Sequence, residues 1–484
     1  MYNNKEESGE LYMRKTKIIC TLGPACDTYD KLKELVLAGM NCARLNFSHG
    51  THAEQLVRIN RVKKLREDLD ISLPILLDTK GPEIRFKDFV GGSVEVKKGD
   101  TFTLSHDSTI LGDNTIGGLS FGDLAKSVEV GTKILVDDGK VGLVVTEIKG
   151  KDIVCEVLND GKFSNHKSLN VPNVEVEMDY LSPTDISDIE FGCAQDVDYI
   201  AASFVRCKED VLGVREILER CGKKDIKIIA KIENMQGINN VESILEVADG
   251  LMVARGDMGV EVDFDMLPSI QKDMISQCFK AGKIVVTATQ MLESMTKNPR
   301  PTRAEVSDVA NAVYDRTVAT MLSGESAAGM YPVEAVKAMS KINESAENTI
   351  NYAKRFHRYH LDLGTSHLSS ICNAAVNASF QVNAKAIICV TYRGITARMI
   401  SAYRPKCPII AAVIDEKAYH QLGLSWGVYP KRALVYHSTD EILANGIKVA
   451  KETGLVKEGD TVIVTGSSAI GVGSTDMLQI ITIK

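Results

Sequence analysis

The chain has 484 residues, which at roughly 150 residues per domain predicts about three domains and excludes a single small module. Its 57 Lys and Arg residues against 64 Asp and Glu residues give a formal net charge of −7, without the basic excess of a general nucleic-acid-binding protein. Apolar residues make up 44% and charged residues 25% of the chain, which is ordinary for globular proteins and excludes disorder as the main state. We therefore expect a folded protein with no nucleic-acid partner.

Residues 1–12 are polar and acidic and lack the apolar core of a secretory signal. They are either an N-terminal extension or a misassigned start, and we assign them no role. No apolar stretch approaches the ~18 residues that cross a membrane. We expect a cytoplasmic protein with no membrane partner. The 11 cysteines are scattered singly without a C-x-x-C pair, which favours buried free thiols over a disulfide framework or a zinc site.

From Thr16 onward, short β-branched runs alternate with longer amphipathic stretches, a pattern typical of a parallel sheet with crossover helices. Eight such runs indicate strands, which favours a (β/α)8 TIM barrel over an open doubly wound sheet. They are Thr16–Cys20, Cys42–Asn46, Pro74–Asp78, Tyr199–Ser203, Lys227–Ile232, Gly250–Ala254, Lys283–Ala288 and Thr317–Leu322. The last run is the least distinctive, because a buried helix gives the same short apolar pattern.

Between the third and fourth of these strands, the pattern changes to short alternating segments separated by Gly and Asp. Strands are predicted at Gly92–Val96, Thr101–Leu104, Gly131–Val136 and Val141–Ile148. Residues 86–173 are therefore expected to form an inserted all-β domain. An insertion after a barrel strand emerges where barrel active sites lie, so this domain is suited to act as a lid.

After Pro332 a helical pattern runs to about Tyr359, and Asp362 with residues 364–366 marks a domain junction. An α/β alternation then restarts, with strands predicted at Ala386–Thr391, Pro408–Val413, Arg432–Tyr436 and Asp460–Thr465. The predicted organisation is an α/β protein. A barrel of residues 13–85 and 174–345 carries the all-β lid of residues 86–173 and is followed by an α/β domain of residues 346–484.

Polar residues collect at the carboxyl ends of the predicted barrel strands, and together they are hard to explain as structural groups alone. They are Arg44, Asn46, Asp78, Thr79, Lys80, Ser203, Arg206, Lys231, Glu233, Arg255, Asp257, Thr289 and Gln290. Any single one of them could equally be a satisfied structural polar group.

Two ion sites are suggested by these oxygen-bearing side chains. Glu233 and Asp257 end successive strands and could share a magnesium ion, which takes one or two carboxylates and completes its shell with water and phosphate oxygens. The alternative is two carboxylates in salt bridges with Arg or Lys at the barrel rim. A second group has one carboxylate among neutral oxygens, which suits a monovalent cation, although it could instead be a network of turn hydrogen bonds. Its members are Asn46, Ser48, Asp78 and Thr79.

Arg44, Arg85 and Lys231 supply fixed positive charge around these sites, as phosphoryl transfer requires. In the R-x-G-D segment, Gly256 lets backbone N–H groups approach an anion closely. The chain has no P-loop Gly-Lys-Ser/Thr motif, so a P-loop kinase is unsupported.

Several segments resemble the pyruvate kinase family. The segment 226–238, IKIIAKIENMQGI, resembles the family's active-site signature along its whole length. Other matching segments are KIICTLGP, ARLNFSHG, LDTKGPEIR, AASFVR, VARGDMGVE, TATQMLESM and PTRAEVSDVANA. The resemblance covers the chain from Met13 to its end and agrees with the barrel, lid and C-terminal domain predicted above.

The resemblance implies phosphoryl transfer from phosphoenolpyruvate to ADP, followed by protonation of the enolate to pyruvate. It implies that Lys231 stabilises the migrating phosphoryl group, that Arg44 contacts the phosphate, and that Glu233 and Asp257 hold Mg²⁺ or Mn²⁺. It also implies that Gly256, Asp257 and Thr289 bind the substrate carboxylate and that Thr289 lies on the proton path as well. The implied K⁺ site consists of Asn46, Ser48, Asp78 and Thr79. The implied nucleotide contacts are Asn46, Phe47, Ser48, His49, Arg85 and Lys167. A threonine hydroxyl is too weak an acid to act alone, so a water is expected to take part.

Relatives with glutamate at the place of Glu83 depend on a monovalent cation, whereas in others a lysine ammonium stands in for that charge. The resemblance therefore implies K⁺ dependence. The alternative is that Glu83 only caps a contact at the rim.

The chain departs from the family pattern at a few places. Segment 315–320, DRTVAT, replaces a usual DGTDAV, so that Arg316 stands for glycine and Val318 for an acid. In the lid, Ser168 and Asn173 stand where glycines are usual, which predicts a stiffer hinge.

The resemblance further implies a homotetramer and a regulatory C-terminal domain. A phosphorylated allosteric effector would bind at Thr391–Thr396, a loop that opens a helix, and at the Gly- and Ser-rich loop Thr465–Asp476. In the first of these loops, Arg393 replaces the usual serine. Both loops could equally be plain connectors that bind no effector.

Two other functions remain open at this point. A lyase that acts on a similar oxoacid would share the Lys-x-Glu and Asp constellation but would need neither ADP nor K⁺. A non-catalytic metabolite sensor would be favoured by loss of Lys231, Glu233, Asp257 or Thr289, and all four are present.

Overall fold

The structure is a computed structural model. It describes residues 14–359, 361, 363–435, 438–467 and 475–484. The predicted N-terminal extension, 1–12, lies outside the described residues.

The first part of the barrel alternates strands and helices. Its elements are β1 (Lys17–Thr21), α1 (Tyr29–Ala38), β2 (Cys42–Asn46), α2 (His52–Leu69) and β3 (Ile75–Asp78). Each helix starts at a threonine cap: the Thr28 side chain accepts from Lys31 N, and Thr51 forms a capping box with Glu54. These caps set where the chain turns back from each strand.

The inserted segment is all β. Its strands are β4 (Ile84–Arg85), β5 (Ser93–Val96), β6 (Thr101–Ser105), β7 (Ile116–Gly118), β8 (Lys133–Val136), β9 (Val141–Lys149), β10 (Asp152–Val157), β11 (Gly161–Ser164) and β12 (Ser168–Asn170). Seven form one sheet in the order β4-β12-β8-β9-β10-β6-β7, and β11 pairs with β5. Four phenylalanines pack in its core with ring centroids 4.8 to 6.5 Å apart: Phe86, Phe89, Phe102 and Phe163.

The second part of the barrel follows the lid. Its elements are α3 (Pro183–Ala194), β13 (Tyr199–Ala202), α4 (Lys208–Arg220), β14 (Lys227–Ile232), α5 (Met235–Asn239), α6 (Val241–Val247), β15 (Gly250–Ala254), α7 (Arg255–Glu261), α8 (Leu267–Lys280), β16 (Ile284–Ala288), α9 (Arg303–Tyr314), β17 (Ala319–Leu322), α10 (Gly324–Ala327) and α11 (Pro332–Asn348).

Eight parallel strands close into a barrel in the order β1-β17-β16-β15-β14-β13-β3-β2. Inward-facing side chains such as Ile19, Leu76, Ile229 and Met252 fill its interior, so it is a packed core and not a pore. The predicted TIM barrel is confirmed, including the least distinctive strand, which forms β17.

The C-terminal part is a separate α/β unit. Its elements are α12 (Tyr352–Arg358), α13 (His367–Gln381), β18 (Ala386–Thr391), α14 (Ile395–Ala402), β19 (Ile409–Val413), α15 (Glu416–Gln421), β20 (Val428–Arg432), α16 (Thr439–Glu452), β21 (Thr461–Gly466) and β22 (Met477–Thr482). The sheet order is β20-β19-β18-β21-β22, with β22 antiparallel to β21.

Two predictions for this region are wrong. The helix predicted from Pro332 to Tyr359 is broken, because the Asn351 side chain accepts from Lys354 N and caps a new helix. The strand predicted at Arg432–Tyr436 lies instead at Val428–Arg432, and Tyr436 lies outside the described residues. Pro430 lies within this strand, which is possible because β20 is an edge strand, where a proline is tolerated.

The C-terminal unit covers the amino ends of the barrel strands. Lys17 Nζ in β1 donates to Val428 O at 2.7 Å, and Tyr199 OH in β13 donates to Gln421 O at 2.7 Å. The carboxyl ends of the strands therefore lie at the other end of the barrel, on the side of the lid. None of the helices in the described ranges is long and apolar enough to cross a membrane.

Candidate active site

Lys231, at the end of β14, lies at the centre of a buried cluster. Its Nζ donates to Ser203 Oγ at 2.6 Å and to Asp78 Oδ1 at 3.1 Å. Arg44 Nε donates to the other oxygen of Asp78, Oδ2, at 2.6 Å. Burial would lower the pKa of Lys231, but Asp78 and Glu233 hold it above its ordinary value. Lys231 is therefore a fixed positive charge at neutral pH.

The Asp78 carboxylate binds these two cations together. Burial would raise the pKa of Asp78, but Arg44 and Lys231 hold it below its ordinary value. Two cations that would repel one another are thus fixed side by side at the barrel mouth, in an arrangement prepared for an anionic group.

Glu233 carries one buried carboxylate oxygen without a hydrogen-bond donor. Its Oε2 accepts from Phe204 N at 2.6 Å. Its Oε1 lies 3.0 Å from Lys231 Nζ but outside hydrogen-bond geometry, and it has no donor among the described residues. Burial raises the pKa of Glu233 to about 7; Lys231 opposes this shift and Asp257 adds to it.

These observations fit a divalent cation. The Oε1 of Glu233, which accepts no hydrogen bond, and the neighbouring carboxylate of Asp257 are hard oxygen donors, of which Mg²⁺ uses one or two. In the part of the chain that the structure describes, no cluster of three or more His, Cys, Asp or Glu side chains is arranged to hold a metal. An ion held at this pair would therefore complete its shell with water and substrate oxygens.

The segment Arg255–Asp257 opens α7 beside the turn that follows β16. Gly256 N donates to Thr289 Oγ1 at 2.7 Å, and the Thr289 hydroxyl donates to Ala288 O at 2.6 Å. Thr289 has φ 66°, which is strained for a β-branched residue. Arg255 fixes this turn, because its Nη2 donates to Thr289 O at 2.7 Å.

The residues predicted for K⁺ lie at the ends of the neighbouring strands β2 and β3. Asn46 is in register with Asp78. Asn46 Oδ1 accepts from Ser48 N at 3.1 Å, and Thr79 Oγ1 accepts from Ser203 N at 3.1 Å. These are hydrogen bonds of the turn network that is the alternative to a K⁺ site. Each of these accepting oxygens keeps a second lone pair that an ion could use.

The predicted nucleotide residues fall into two groups. Asn46, Phe47, Ser48 and His49 form one turn after β2, and Gln55 Nε2 holds this turn by donating to Asn46 O at 3.0 Å and His49 O at 2.9 Å. Arg85, the last residue of the predicted barrel segment, pairs with Ser168 at the edge of the lid sheet, and Lys167 Nζ in the lid lies 2.8 Å from Asp137 Oδ1.

Glu83 pairs with the predicted nucleotide residue Arg85. The Arg85 guanidinium donates from Nε and Nη2 to the Glu83 carboxylate at 2.8 to 2.9 Å, and from Nη1 to His166 O at 2.7 Å. Glu83 therefore forms the rim contact that is the alternative to a role in K⁺ dependence.

A cleft open to solvent lies between the lid and the barrel mouth, with Asn170 on the lid side and Asp257 and Glu261 on the barrel side. Asn170 Nδ2 donates to Glu261 Oε1 at 2.8 Å across this cleft. Because Glu261 and Asp257 share α7, the position of the lid is tied directly to the helix that carries a predicted metal ligand.

Some hydrogen-bond partners at the site could not be predicted from the sequence. Thr21 Oγ1 accepts from Arg44 Nη1 at 2.8 Å, and the Asp308 carboxylate accepts from Arg255 Nη1 at 2.7 Å. The sequence shows Ser203 as a polar strand end but does not predict its hydrogen bond with Lys231. These residues are far from their partners in the chain, and no local pattern links them.

Comparisons with known proteins agree with this architecture. The family models "Pyruvate kinase, barrel domain" and "Pyruvate kinase, alpha/beta domain" match residues 13–336 and 369–481. A pyruvate kinase of Clostridium perfringens is 47% identical over 471 residues, covering 97% of this chain and 99% of the relative. One of Staphylococcus haemolyticus is 48% identical over 472 residues, covering 97% of this chain and 80% of the relative.

A crystal structure of a pyruvate kinase from Cryptosporidium parvum superimposes with a TM-score of 0.92 at 39% identity, covering 97% of this chain and 96% of that one. Full-length identity at this level and the shared fold leave no other family to consider. The chain belongs to the pyruvate kinase family.

Proposed function

We propose that the barrel mouth transfers the phosphoryl group of phosphoenolpyruvate to ADP, giving ATP and pyruvate, with the residues described above in the active site. The observation that carries the proposal is the buried Lys231, which is held between Asp78, Ser203 and Glu233 and stays charged. A fixed cation at this place stabilises negative charge on a phosphoryl group in transit.

Lys231 and Arg44 are the phosphoryl-binding residues of this proposal. Asp78 orients both cations before substrate arrives, so that little reorganisation is needed during the reaction. Arg44 Nη1 is anchored on Thr21, which fixes the plane of the guanidinium for contact with a phosphate.

Glu233 and Asp257 are the proposed ligands of a divalent cation, Mg²⁺ or Mn²⁺. When bound, such an ion supplies charge neutralisation at the phosphate and enolate oxygens. The Oε1 of Glu233, which accepts no hydrogen bond from the described residues and faces Lys231 as an ion pair, supports this assignment.

Gly256, Asp257 and Thr289 are the proposed contacts of the substrate's carboxylate end. The Thr289 hydroxyl also lies on the proposed proton path to the enolate. Its hydrogen now points to Ala288 O, so the hydroxyl must rotate to serve the substrate. A water molecule relayed through it would supply the proton, since threonine is a weak acid.

Asn46, Ser48, Asp78 and Thr79 are the proposed K⁺ site, and the nucleotide is proposed to lie against Asn46, Phe47, Ser48, His49, Arg85 and Lys167. Lid closure would bring Arg85 and Lys167 toward the phosphates. In this assignment Glu83 acts through its pair with Arg85, and ADP binding would compete for that guanidinium.

Membership of the family also suggests a location, an oligomeric state and an effector site for this chain. We propose a cytoplasmic homotetramer with the domain limits given above. We also propose a phosphorylated effector site at α14, supported by the Thr396 and Thr475 hydroxyls, which lie 2.6 Å apart and join the two candidate loops. Residues 468–474 of the second loop lie outside the described residues. Titration of sugar phosphates and AMP at low substrate tests this site, and an unchanged half-saturating concentration would remove it.

The experiment that tests the proposal is pyruvate formation from phosphoenolpyruvate and ADP with Mg²⁺, coupled to NADH oxidation, in parallel K⁺ and Na⁺ buffers. Activity that needs K⁺ is expected. Equal activity in both buffers would keep the reaction but remove the K⁺ site. Absence of activity in both, with candidate effectors added, would contradict the proposal and favour a lyase or a sensor.

A further inference from the structure

Arg206 lies just beyond the carboxyl end of β13 but has no place in the reaction proposed above. It belongs to the turn of residues 203–206, which we call the β13 turn. Its Nε and Nη2 each donate to the Asp210 carboxylate at 3.1 Å. Its remaining nitrogen, Nη1, donates to two backbone oxygens, Met178 O at 2.9 Å and Val176 O at 3.4 Å. Asp210 therefore fixes the guanidinium where it holds another segment of the chain.

That segment is the linker through which the chain returns from the lid to the barrel, residues 174–181, which we call the return linker. Val176 and Met178 of this linker pack their side chains against the apolar core of the lid. Tyr180 OH, near the end of the linker, donates to Ser203 O at 2.9 Å. The return linker is thus joined to the lid by apolar packing and to the β13 turn by hydrogen bonds.

The outgoing connection from the barrel to the lid touches the same turn. Gly81, at φ 73°, lies so close to Ser203 that a Cβ at this position would come within 2.9 Å of Ser203 O. The left-handed backbone and this close approach both favour glycine. Gly81 N donates at 2.9 Å to Asp185 Oδ1, in the first turn of α3. Both crossings between the barrel and the lid are therefore fastened beside the β13 turn.

On its inner side, the β13 turn contacts two residues of the proposed active site. Ser203 Oγ accepts from Lys231 Nζ at 2.6 Å, and Phe204 N donates to Glu233 Oε2 at 2.6 Å. Phe204 has φ 54°, a conformation that a bulky residue keeps only where its surroundings impose it. The orientation of the Glu233 carboxylate thus depends on a strained turn that the lid connections hold from the other side.

We propose that Arg206 is a positioning residue that couples the lid to the divalent-cation site. It fastens the return linker to the β13 turn, and the turn, held in place, orients Glu233 and Lys231. Because this turn meets both the linker and Glu233, a cation at Glu233 and an ordered linker stabilise each other. The inference rests on the proposed function in one respect, the assignment of Glu233 as a metal ligand.

Two measurements that do not depend on turnover test this coupling. The first is Mn²⁺ binding to the full chain, followed by titration calorimetry and assigned to the site by its loss in Glu233→Gln. The second is cleavage by a glutamate-specific protease after Glu175 and Glu177, which are exposed residues of the return linker, with the products identified by mass spectrometry. Such cleavage reports how often the linker opens. In the parent chain, we expect Mn²⁺ to slow cleavage after these two residues.

Two variants weaken the attachment of the linker. Arg206→Met removes the guanidinium, and we expect it to speed cleavage of the linker several-fold, to weaken Mn²⁺ binding roughly tenfold and to abolish the protection by Mn²⁺. Tyr180→Phe removes only the hydroxyl that donates to Ser203 O and keeps the ring. It should change cleavage and Mn²⁺ affinity in the same direction by a smaller factor. If Arg206→Met fails to fold, Tyr180→Phe carries the same test.

Arg215→Met is the matched control. Arg215 of α4 also pairs with an aspartate, Asp249, at 2.9 Å and donates to two backbone oxygens, Ile226 O and Val247 O. Its side chain is 22% exposed and that of Arg206 20%, so the two substitutions disturb similar environments. Arg215 lies at the amino end of the barrel, so Arg215→Met should leave linker cleavage and Mn²⁺ affinity as in the parent chain.

The outcomes separate this inference from the proposed function. Parent-like cleavage and Mn²⁺ affinity in both Arg206→Met and Tyr180→Phe would overturn the coupling. Equal changes in Arg215→Met would also overturn it, because they would show a general loss of stability. If the parent chain binds no Mn²⁺ at Glu233, the proposed cation site fails and the inference fails with it. If the parent chain binds Mn²⁺ and the variants behave like it, the inference alone fails.

Discussion

At the residue scale, the proposed active site is built from charges that are paired before substrate binds. Lys231 and Arg44 share the two oxygens of Asp78, and one oxygen of Glu233 remains without a donor. The sequence identified all four residues, because each lies near the end of a recognisable strand or directly after it. It could not identify Thr21 or Asp308, whose partners are distant in the chain and whose contacts exist only after folding.

Replacement of Lys231 by methionine removes the central charge at nearly equal volume. We expect Lys231→Met to lower kcat by at least about 10²- to 10³-fold, the usual effect of losing a preorganised electrostatic group. The variant should also unfold at lower urea, because Asp78 and Glu233 lose a buried partner. Lys223→Met is the matched control, since Lys223 is half-buried at the surface and, among the described residues, pairs with Asp196. Equal kcat in the two variants would refute a catalytic role.

Thr289 offers a separate test of the proton path. Thr289→Ala removes the hydroxyl that accepts from Gly256 N, and we expect a loss of kcat of about 10²-fold, the low end for proton transfer. Thr289→Ser keeps the hydroxyl and removes the β-branch that is strained at φ 66°, so it should retain most activity. Steady-state kinetics of the pair measures this, and a serine variant as impaired as the alanine variant would argue for a purely steric role.

At the element scale, α7 links the lid to the chemistry. It carries Asp257 in its first turn and Glu261 at its end, and Glu261 accepts from Asn170 of β12. The sequence predicted the lid and four of its strands but not β4, β7, β11 or β12, which span only two to four residues, too few for an alternation to be recognised. It also missed the longer β10, Asp152–Val157. The inserted domain is thus the part for which sequence periodicity is least informative.

Substitution at the lid contact should affect nucleotide binding more than turnover. Asn170→Asp places a carboxylate against Glu261, and repulsion between like charges should favour the open lid. We expect a several-fold rise in the KM for ADP with a smaller change in kcat. Asn445→Asp on the exposed surface of α16 serves as control. An unchanged KM for ADP would show that this contact does not govern closure.

At the scale of the whole molecule, the barrel separates two ends with different environments. The lid covers the carboxyl ends of the strands, and the C-terminal unit covers the amino ends, where Lys17 is buried against Val428 and Tyr429. The order of domains could be predicted, because strand periodicity changes at each junction. The exact place of β20 could not, because only the tertiary structure reveals it as an edge strand that tolerates Pro430.

Lys17 should make stability depend on pH. Burial lowers the pKa of Lys17 to about 7 in the folded chain, whereas the unfolded chain keeps a pKa near 10.4. Between these values the unfolded state binds more protons, so the free energy of unfolding should rise with pH, by at most about 1.4 kcal/mol per pH unit. Urea unfolding of the parent chain and Lys17→Met from pH 7 to 9.5 measures the difference. Parallel pH profiles would contradict the shifted pKa.

The most direct test of the central claim is ³¹P NMR of phosphoenolpyruvate and ADP mixed with the chain, Mg²⁺ and K⁺. The signal of phosphoenolpyruvate should decline at the rate at which the γ-phosphate of ATP appears, and both changes should be nearly abolished in Lys231→Met. Loss of phosphoenolpyruvate with release of inorganic phosphate and no ATP, or no loss at all, would contradict phosphoryl transfer at the barrel mouth.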